Sequence, residues 1–342
     1  GFKSRPVHSI FLVAAATKKL DQTQIESARL GPVAESNVGN GGQMKNAGLV
    51  YAVLSSLFLS TGFILAKHFL QYTNPETLNT LWFGLAFIAS FIALLAKDAS
   101  KTIKTFREHW KDGLVIGGAN AVAAAFWFQA INIAGPTLTA FLIRFSTIFI
   151  ILLGIVFLKE KLHFHDIVGM VIALGGAFAI SFATGDYLTT GVAVALAASF
   201  AIAVHQVLSK VYVKTINPLT LVSLRTLYTA LFLFAYAAAF SKLQPFPLNQ
   251  IPFLLIAVIV NAILGFVFFY KALELLDVSK VAIIRTLDPF IVVVYALAAF
   301  HTLPSLNQLV GGTLVIIGVL VTMYGHNIRT IVRLVKGLPW FG

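Results

Sequence analysis

The sequence predicts an all-α polytopic membrane protein, with ten transmembrane helices arranged as two inverted five-helix repeats. Three observations predict it. Hydrophobic residues make up 58% of the 342-residue chain and charged residues only 11%, against about 25% charged in an ordinary soluble domain. The apolar runs approach the ~20 residues that cross a bilayer as a helix and are too long for membrane strands. The pattern of the first half also returns in the second: Arg144 and Arg285 lie 141 positions apart, as do Asn120 and Asn261.

Residues 1–45 form an N-terminal extension expected to be disordered or weakly amphipathic. Lys3, Arg5, Lys18 and Lys19 surround a short apolar run, Ile10 to Ala16, which is too short to span. Residues 31–43, rich in Gly, Asn and Ser, read as a linker. From Gly48 the spans follow at roughly 47–70, 76–96, 113–134, 136–158, 166–184, 189–212, 218–241, 251–274, 279–300 and 306–325. Spans three and four are separated only by Gly135-Pro136, a turn pair.

The net charge of +12 is explained by the loops. Lys97, Lys101, Lys104, Arg107, Lys111, Lys159, Lys161, Lys210, Lys214, Lys271 and Lys280 fall on one side if both termini are cytoplasmic, and the opposite loops carry only Lys67 and Lys242. The positive-inside rule gives that orientation, and an inner (plasma) membrane is the expected location. Residues 327–342 form a basic cytoplasmic tail, with Arg329, Arg333 and Lys336 at helical spacing, suited to an anionic leaflet. There is no cysteine, so disulfides and thiolate metal sites are excluded. No metal, cofactor or nucleic acid is expected. Absence of a P-loop argues against ATP-driven pumping.

The repeat is detailed. Lys67, Asn74-Pro75, Thr77-Leu78 and Leu81 match Lys210, Asn217-Pro218, Thr220-Leu221 and Leu224 at a shift of 143, and Gly169 and Gly176 match Gly311 and Gly318 at 142. Five spans per repeat is an odd number, so the second repeat enters the membrane from the opposite side. Such inverted repeats typify alternating-access carriers, with the site near the midplane where the halves meet. The expected repeats are 46–185 and 186–326.

Phe157-Leu158-Lys159-Glu160-Lys161-Leu162, followed by Gly169 and Gly176, resembles the span four to five signature of the drug/metabolite transporter superfamily, EamA type. Asp288-Pro289, followed by Gly311 and Gly318, resembles its second copy, with His301 where the first copy has Glu160. The likeness covers residues 46–326. It implies a ten-helix carrier, usually an exporter of amino acids or other small metabolites.

Arg144 and Arg285 each lie about eight residues inside a span, roughly 12 Å deep at 1.5 Å per residue. Charge at such depth faces a partner or a wet cavity. As cavity residues they would hold an anionic group by a bidentate contact; as structural residues they would form an ion pair, and Asp288, three positions after Arg285, could neutralise it. Asn120 and Asn261 are buried amides that either bridge helices or bind a ligand. His205 is mid-span and has Gly62 as its counterpart; Arg225 has Trp82. Such asymmetry is where substrate choice is expected. Trp127 and Tyr270 are aromatic candidates to line the site, and Asp288 and Glu274 are candidates for proton coupling. Asp288 precedes Pro289, where the helix is expected to unwind. The paired glycines read as tight helix contacts or a homodimer surface.

These readings converge on a non-enzymatic secondary transporter, most simply an exporter of an amino acid or related zwitterion or anion, with proton coupling open. An organophosphate or nucleotide-sugar exchanger is the alternative. A channel or an intramembrane enzyme is less well supported, since no nucleophile–base pair is evident.

Overall fold

The computed structural model describes residues 40–158, 164–182, 186–276, 281, 284–301 and 305–324. The N-terminal extension before residue 40, the cluster Lys159 to Lys161 and the tail lie outside the described residues. Among the described residues every regular element is helical. The elements are α1 (Asn40–Phe69), α2 (Pro75–Glu108), α3 (Trp110–Ala134), α4 (Pro136–Leu142), α5 (Phe145–Leu158), α6 (Phe164–Phe182), α7 (Asp186–Tyr212), α8 (Pro218–Ala239), α9 (Ile251–Val258), α10 (Phe266–Leu275), α11 (Asp288–Phe300) and α12 (Leu306–Tyr324). Among the described residues six helices are long and apolar enough to cross a membrane, and shorter apolar helices occupy Pro136–Ile150, Ile167–Gly176, Asp288–Phe300 and Leu309–Gly318.

Local chemistry explains the boundaries. The side chain of Asn74 accepts the Thr77 N–H at 2.9 Å and that of Asn217 accepts the Leu219 N–H at 3.1 Å. Each asparagine is thus an N-cap, and the proline after it starts the helix where an N–H is not needed. The Asn-Pro repeat is a repeated helix start. Gly135 separates α3 from α4 at φ 79°, a conformation that costs glycine little.

The segment after span two departs from expectation. It was expected to be a charged loop, yet α2 continues to Glu108 through a kink at Asp98 (φ −165°, ψ 98°). The Asp98 carboxylate accepts the Lys101 N–H at 2.9 Å and so restarts the helix. Phe106 then packs on Phe91 with centroids 5.1 Å apart. The basic residues are spread along an amphipathic turn, not a free loop.

Spans four and nine are broken at their arginines. Arg144 N donates to the Phe141 carbonyl and Thr147 N to that of Arg144, a 3₁₀ turn between α4 and α5. Arg285–Leu287 form the matching 3₁₀ turn before α11. The expected unwinding at Asp288-Pro289 is therefore corrected. Pro289 sits in the first turn of α11, where its missing donor costs nothing, and the irregular turn lies just before it. Span eight is interrupted differently, by a π-helical turn at Ile259–Gly265 between α9 and α10.

The packing follows the repeat. α3 packs along α7, and α1 along the π turn and α10; α2 packs along α8, and α6 along α12. Each pair maps onto another, or onto itself, when residues are exchanged by the repeat shift. The paired glycines serve the last contact. A Cβ at Gly176 would stand 2.5 Å from the Gly311 carbonyl oxygen, and one at Gly318 would stand 2.5 Å from that of Gly169. These glycines join α6 to α12 within the chain, the tight helix contact that was one of their two readings. Large apolar side chains such as Ile92, Val122, Phe234 and Val294 face outward, as expected for helices solvated by lipid.

Candidate transport cavity

The arginines expected to be central meet at one carboxylate. Asp288 Oδ2 lies 3.1 Å from Arg285 Nη2, 3.1 Å from Arg285 Nε and 3.4 Å from Arg144 Nη1. Arg144 Nη1 also donates to the Arg285 carbonyl at 2.7 Å. The Arg285 carbonyl accepts the Asp288 N–H that closes its 3₁₀ turn and takes the Arg144 bond on its second lone pair. Asp288 and Arg144 are 1% and 4% exposed. The structural reading of these residues, an ion pair, is present in the geometry.

Arg225 is in a different position. It is fully buried on α8. Nη1 donates to Asn120 Oδ1 at 3.1 Å and Nη2 to the Ala262 carbonyl at 3.3 Å. The guanidinium carbon stands 3.6 Å from the ring centroid of Phe266, a close cation–π contact. No carboxylate among the described residues pairs with it. Asn120 is held in turn by Thr229, whose hydroxyl accepts from Asn120 Nδ2 at 3.0 Å and donates to the Gly117 carbonyl at 3.1 Å. A Cβ at Gly117 would stand 2.4 Å from Tyr228 Cβ, so the bare glycine allows α3 close enough to α8 for this network.

Asn261, the counterpart of Asn120 in the other half, makes a different contact. Its Nδ2 donates to the Leu59 carbonyl at 3.0 Å and the Phe58 carbonyl at 3.3 Å. The π turn carries Asn261, and Gly62 on α1 leaves it room: a Cβ there would stand 2.3 Å from Asn261 Nδ2.

These groups line a cavity with about 110 Å³ available to the centre of a water-sized sphere. On that measure one water needs only ~10–15 Å³. Arg144, Arg285, Asn120, Asn261, His205, Trp127 and Arg225 all reach it. His205 contacts Ser209, one turn along its own helix, at 3.4 Å. Tyr270, Asp288 and Glu274 do not line it. Tyr270 is buried behind Phe266 and Phe269, with ring centroids 5.9 and 5.7 Å away. Asp288 sits behind its two arginines, and Glu274 lies on the exposed side of α10.

Phe63, Phe83 and Phe266 are lining residues that the sequence reading did not single out. One signal was available for Phe63: the shift of 143 that pairs Gly62 with His205 pairs Phe63 with Gln206, and both line the cavity. Two buried guanidinium groups, Arg144 and Arg225, and the partly buried one of Arg285 thus stand against one buried carboxylate, which leaves the site positive. Removing ions from water costs several kcal/mol each unless charge is matched, so the site favours an anion.

Comparison with known proteins agrees with this architecture. The chain is 24% identical over 301 residues to a protein from Haemophilus influenzae described as an uncharacterized transporter, covering 82% of this chain and 96% of that one. A protein from Archaeoglobus fulgidus with the same description is 20% identical over 280 residues, covering 80% and 98%. A solved crystal structure aligns with TM-score 0.58 over 85% of this chain and 99% of the other at 16% identity, a likeness that shows the fold alone. The family model of EamA-like transporters matches twice, over residues 46–182 and 189–324, and with both copies present the chain belongs to the EamA-like transporter family.

Proposed function

We propose that this chain is a secondary carrier that moves a small organic metabolite, anionic or zwitterionic and of amino-acid size, by alternating access. The observation that carries the reading is the cavity between the two matched regions. Arg144 and Arg285, Asn120 and Asn261, and Phe128 and Phe269 enter it as pairs related by one shift of 141. A site that both halves build is a site that either half can uncover.

In this reading the six long apolar helices and four shorter apolar segments make ten spans. The two five-helix units, 46–185 and 186–326, are inverted, and both termini are cytoplasmic in the inner membrane. The breaks at Arg144 and Arg285 are where the halves reorganise. Asp288 is the carboxylate through which a proton gradient would couple, since protonating it would release both guanidinium groups. Export is the direction we propose, on the resemblance stated above.

The surplus of cations keeps an organophosphate exchanger as a second reading.

The test is counterflow in proteoliposomes loaded with single metabolites. Accelerated exchange of a labelled amino acid, carboxylate or sugar phosphate supports the carrier and identifies the class. Flux without trans-stimulation, carried by any small ion, would replace it with a channel.

A further inference from the structure

The cavity is symmetric in some residues and pointedly asymmetric in others. Exchange by the repeat shift relates Gly62, Phe63 and Trp82 of the first half to His205, Gln206 and Arg225 of the second. All three differences run the same way: the first half is apolar and the second polar. Residues related by this exchange stand on opposite sides of the axis relating the halves. One side of the cavity is therefore polar. The other carries a continuous aromatic surface, with centroids 5.1 Å apart for Phe63 and Trp127, 4.8 Å for Trp127 and Phe128, and 5.6 Å for Trp82 and Phe128.

Among the described residues Arg225 is the cavity arginine that no acid pairs. Arg144 and Arg285 share Asp288. Among the described residues the partners of Arg225 are neutral: the Asn120 amide, the Ala262 carbonyl and the rings of Phe266 and Phe83. Two of the five guanidinium N–H donors are used in those hydrogen bonds, and Nε meets no acceptor. A buried charge left in this state gains more from an anion than a paired one does. No acid among the described residues lines the cavity to pair with an ammonium group. Asp288 is the only buried acid among the described residues, it does not line the cavity, and its Oδ2 already joins two arginines.

We propose that the solute is a small organic anion with a flat apolar body and no ammonium group, its anionic head on Arg225 and its body against Trp82, Phe128, Trp127 and Phe63. This rests on the carrier reading and narrows it, away from amino acids. The head is a carboxylate or a phosphate monoester; both offer the oxygens that a guanidinium binds in pairs.

The experiment measures thermal stabilisation of the purified full-length protein by four matched probes: phenylacetate, phenyl phosphate, phenylalanine and phenethylamine. A ligand raises the midpoint in proportion to its occupancy of the folded state. Phenylacetate or phenyl phosphate is expected to stabilise at concentrations at least about tenfold below phenylalanine, and phenethylamine not at all. Which of the two anions acts decides the head group. Arg225→Gln is expected to abolish the preference for anions, and Arg225→Lys to keep part of it. Trp82→Ala is expected to weaken both aryl anions about tenfold. No shift with either anion, or phenylalanine acting at the lower concentration, overturns the proposal on the unmodified protein. Counterflow of an amino acid would in that case leave the carrier reading standing.

Discussion

Arg144 Nη1 donates to the backbone carbonyl of Arg285 at 2.7 Å while both side chains hold one oxygen of Asp288. The two residues are related by the repeat, yet they are not equivalent in their contacts. One reaches across to the other's main chain, and the acid belongs to the second half alone. In this conformation the knot joins the broken turns of spans four and nine.

Removing the acid leaves the buried guanidinium of Arg144 and the partly buried one of Arg285 without their shared counter-charge. Asp288→Asn is therefore expected to destabilise the protein strongly. Breaking a buried pair typically costs on the order of 3–5 kcal/mol, read as a large fall in the thermal midpoint. Adding Arg144→Met should restore much of that loss, because it removes one of the stranded charges. An Asp288→Asn protein as stable as the parent would show that the knot is not a stabilising element. In proteoliposomes, loss of pH-gradient dependence in Asp288→Asn, with exchange retained, is the outcome expected of a coupling carboxylate.

Gly62 and Asn261 make a contact with almost no slack. A methyl group at Gly62 would stand 2.3 Å from Asn261 Nδ2 and 2.7 Å from Cγ. The amide is held to the carbonyls of Phe58 and Leu59, so it cannot move aside without losing those bonds. Gly62→Ala is expected to cost about 1–3 kcal/mol, the usual range for overpacking, and to reduce transport. The double variant Gly62→Ala with Asn261→Ala should regain stability but not transport. Rescue of both would assign Asn261 a purely structural role.

Much of this arrangement was legible because its causes are local. Asn74-Pro75 and Asn217-Pro218 carry their own capping chemistry, and Gly135-Pro136 carries its own turn. The arginines announce themselves by the cost of burying charge. Other features depend on partners far away in sequence. Nothing near Arg144 breaks a helix; no proline follows it, whereas Pro289 follows Arg285. The 3₁₀ turn there goes with the Arg285 carbonyl that it meets, 141 residues on. The π turn at Asn261 likewise goes with carbonyls on α1, while Asn120 sits in a regular helix because its partners are side chains on α8. The restarted helix after Asp98 was hidden by its charges, which read as a loop until Phe106 is seen to pack on Phe91.

The α6–α12 contact is intramolecular and closes over glycine backbones. Gly176→Leu would drive its side chain into the Gly311 carbonyl and the Val315 N–H, 2.5 and 2.8 Å from its Cβ. The expected result is a lower thermal midpoint and lower yield, with the oligomeric state by light scattering unchanged. A dissociated dimer of otherwise stable protomers would move these glycines to an intermolecular surface.

The two ends of the bundle are tied differently among the described residues: at the Asn217 end Lys210 Nζ donates to the Leu273 and Leu276 carbonyls at 2.6 and 3.2 Å, whereas the Asn74 end is clasped by a loop. The loop after α8 crosses to the start of α2, where Asn74 Nδ2 donates to the Lys242 carbonyl at 2.7 Å, Gln244 N donates to Thr77 Oγ1 at 2.8 Å and Lys242 Nζ pairs with Glu76 at 2.9 Å. Exchange of the halves would place matching bonds between Asn217 and the segment 97–109. Among the described residues the Asn217 side chain bonds only the start of its own helix. The cavity should therefore open towards the Asn217 end and be shut at the Asn74 end. The chain has no cysteine, so a single Ala123→Cys, at a small cavity-lining residue, reports access directly. A membrane-impermeant thiol reagent is expected to label it from the Asn217 side only. Adding Asn74→Ala, Thr77→Ala and Lys242→Ala should allow labelling from the clasped side as well, since these three ties are removed together. Equal labelling from both sides before those changes would show that the clasp is not a gate.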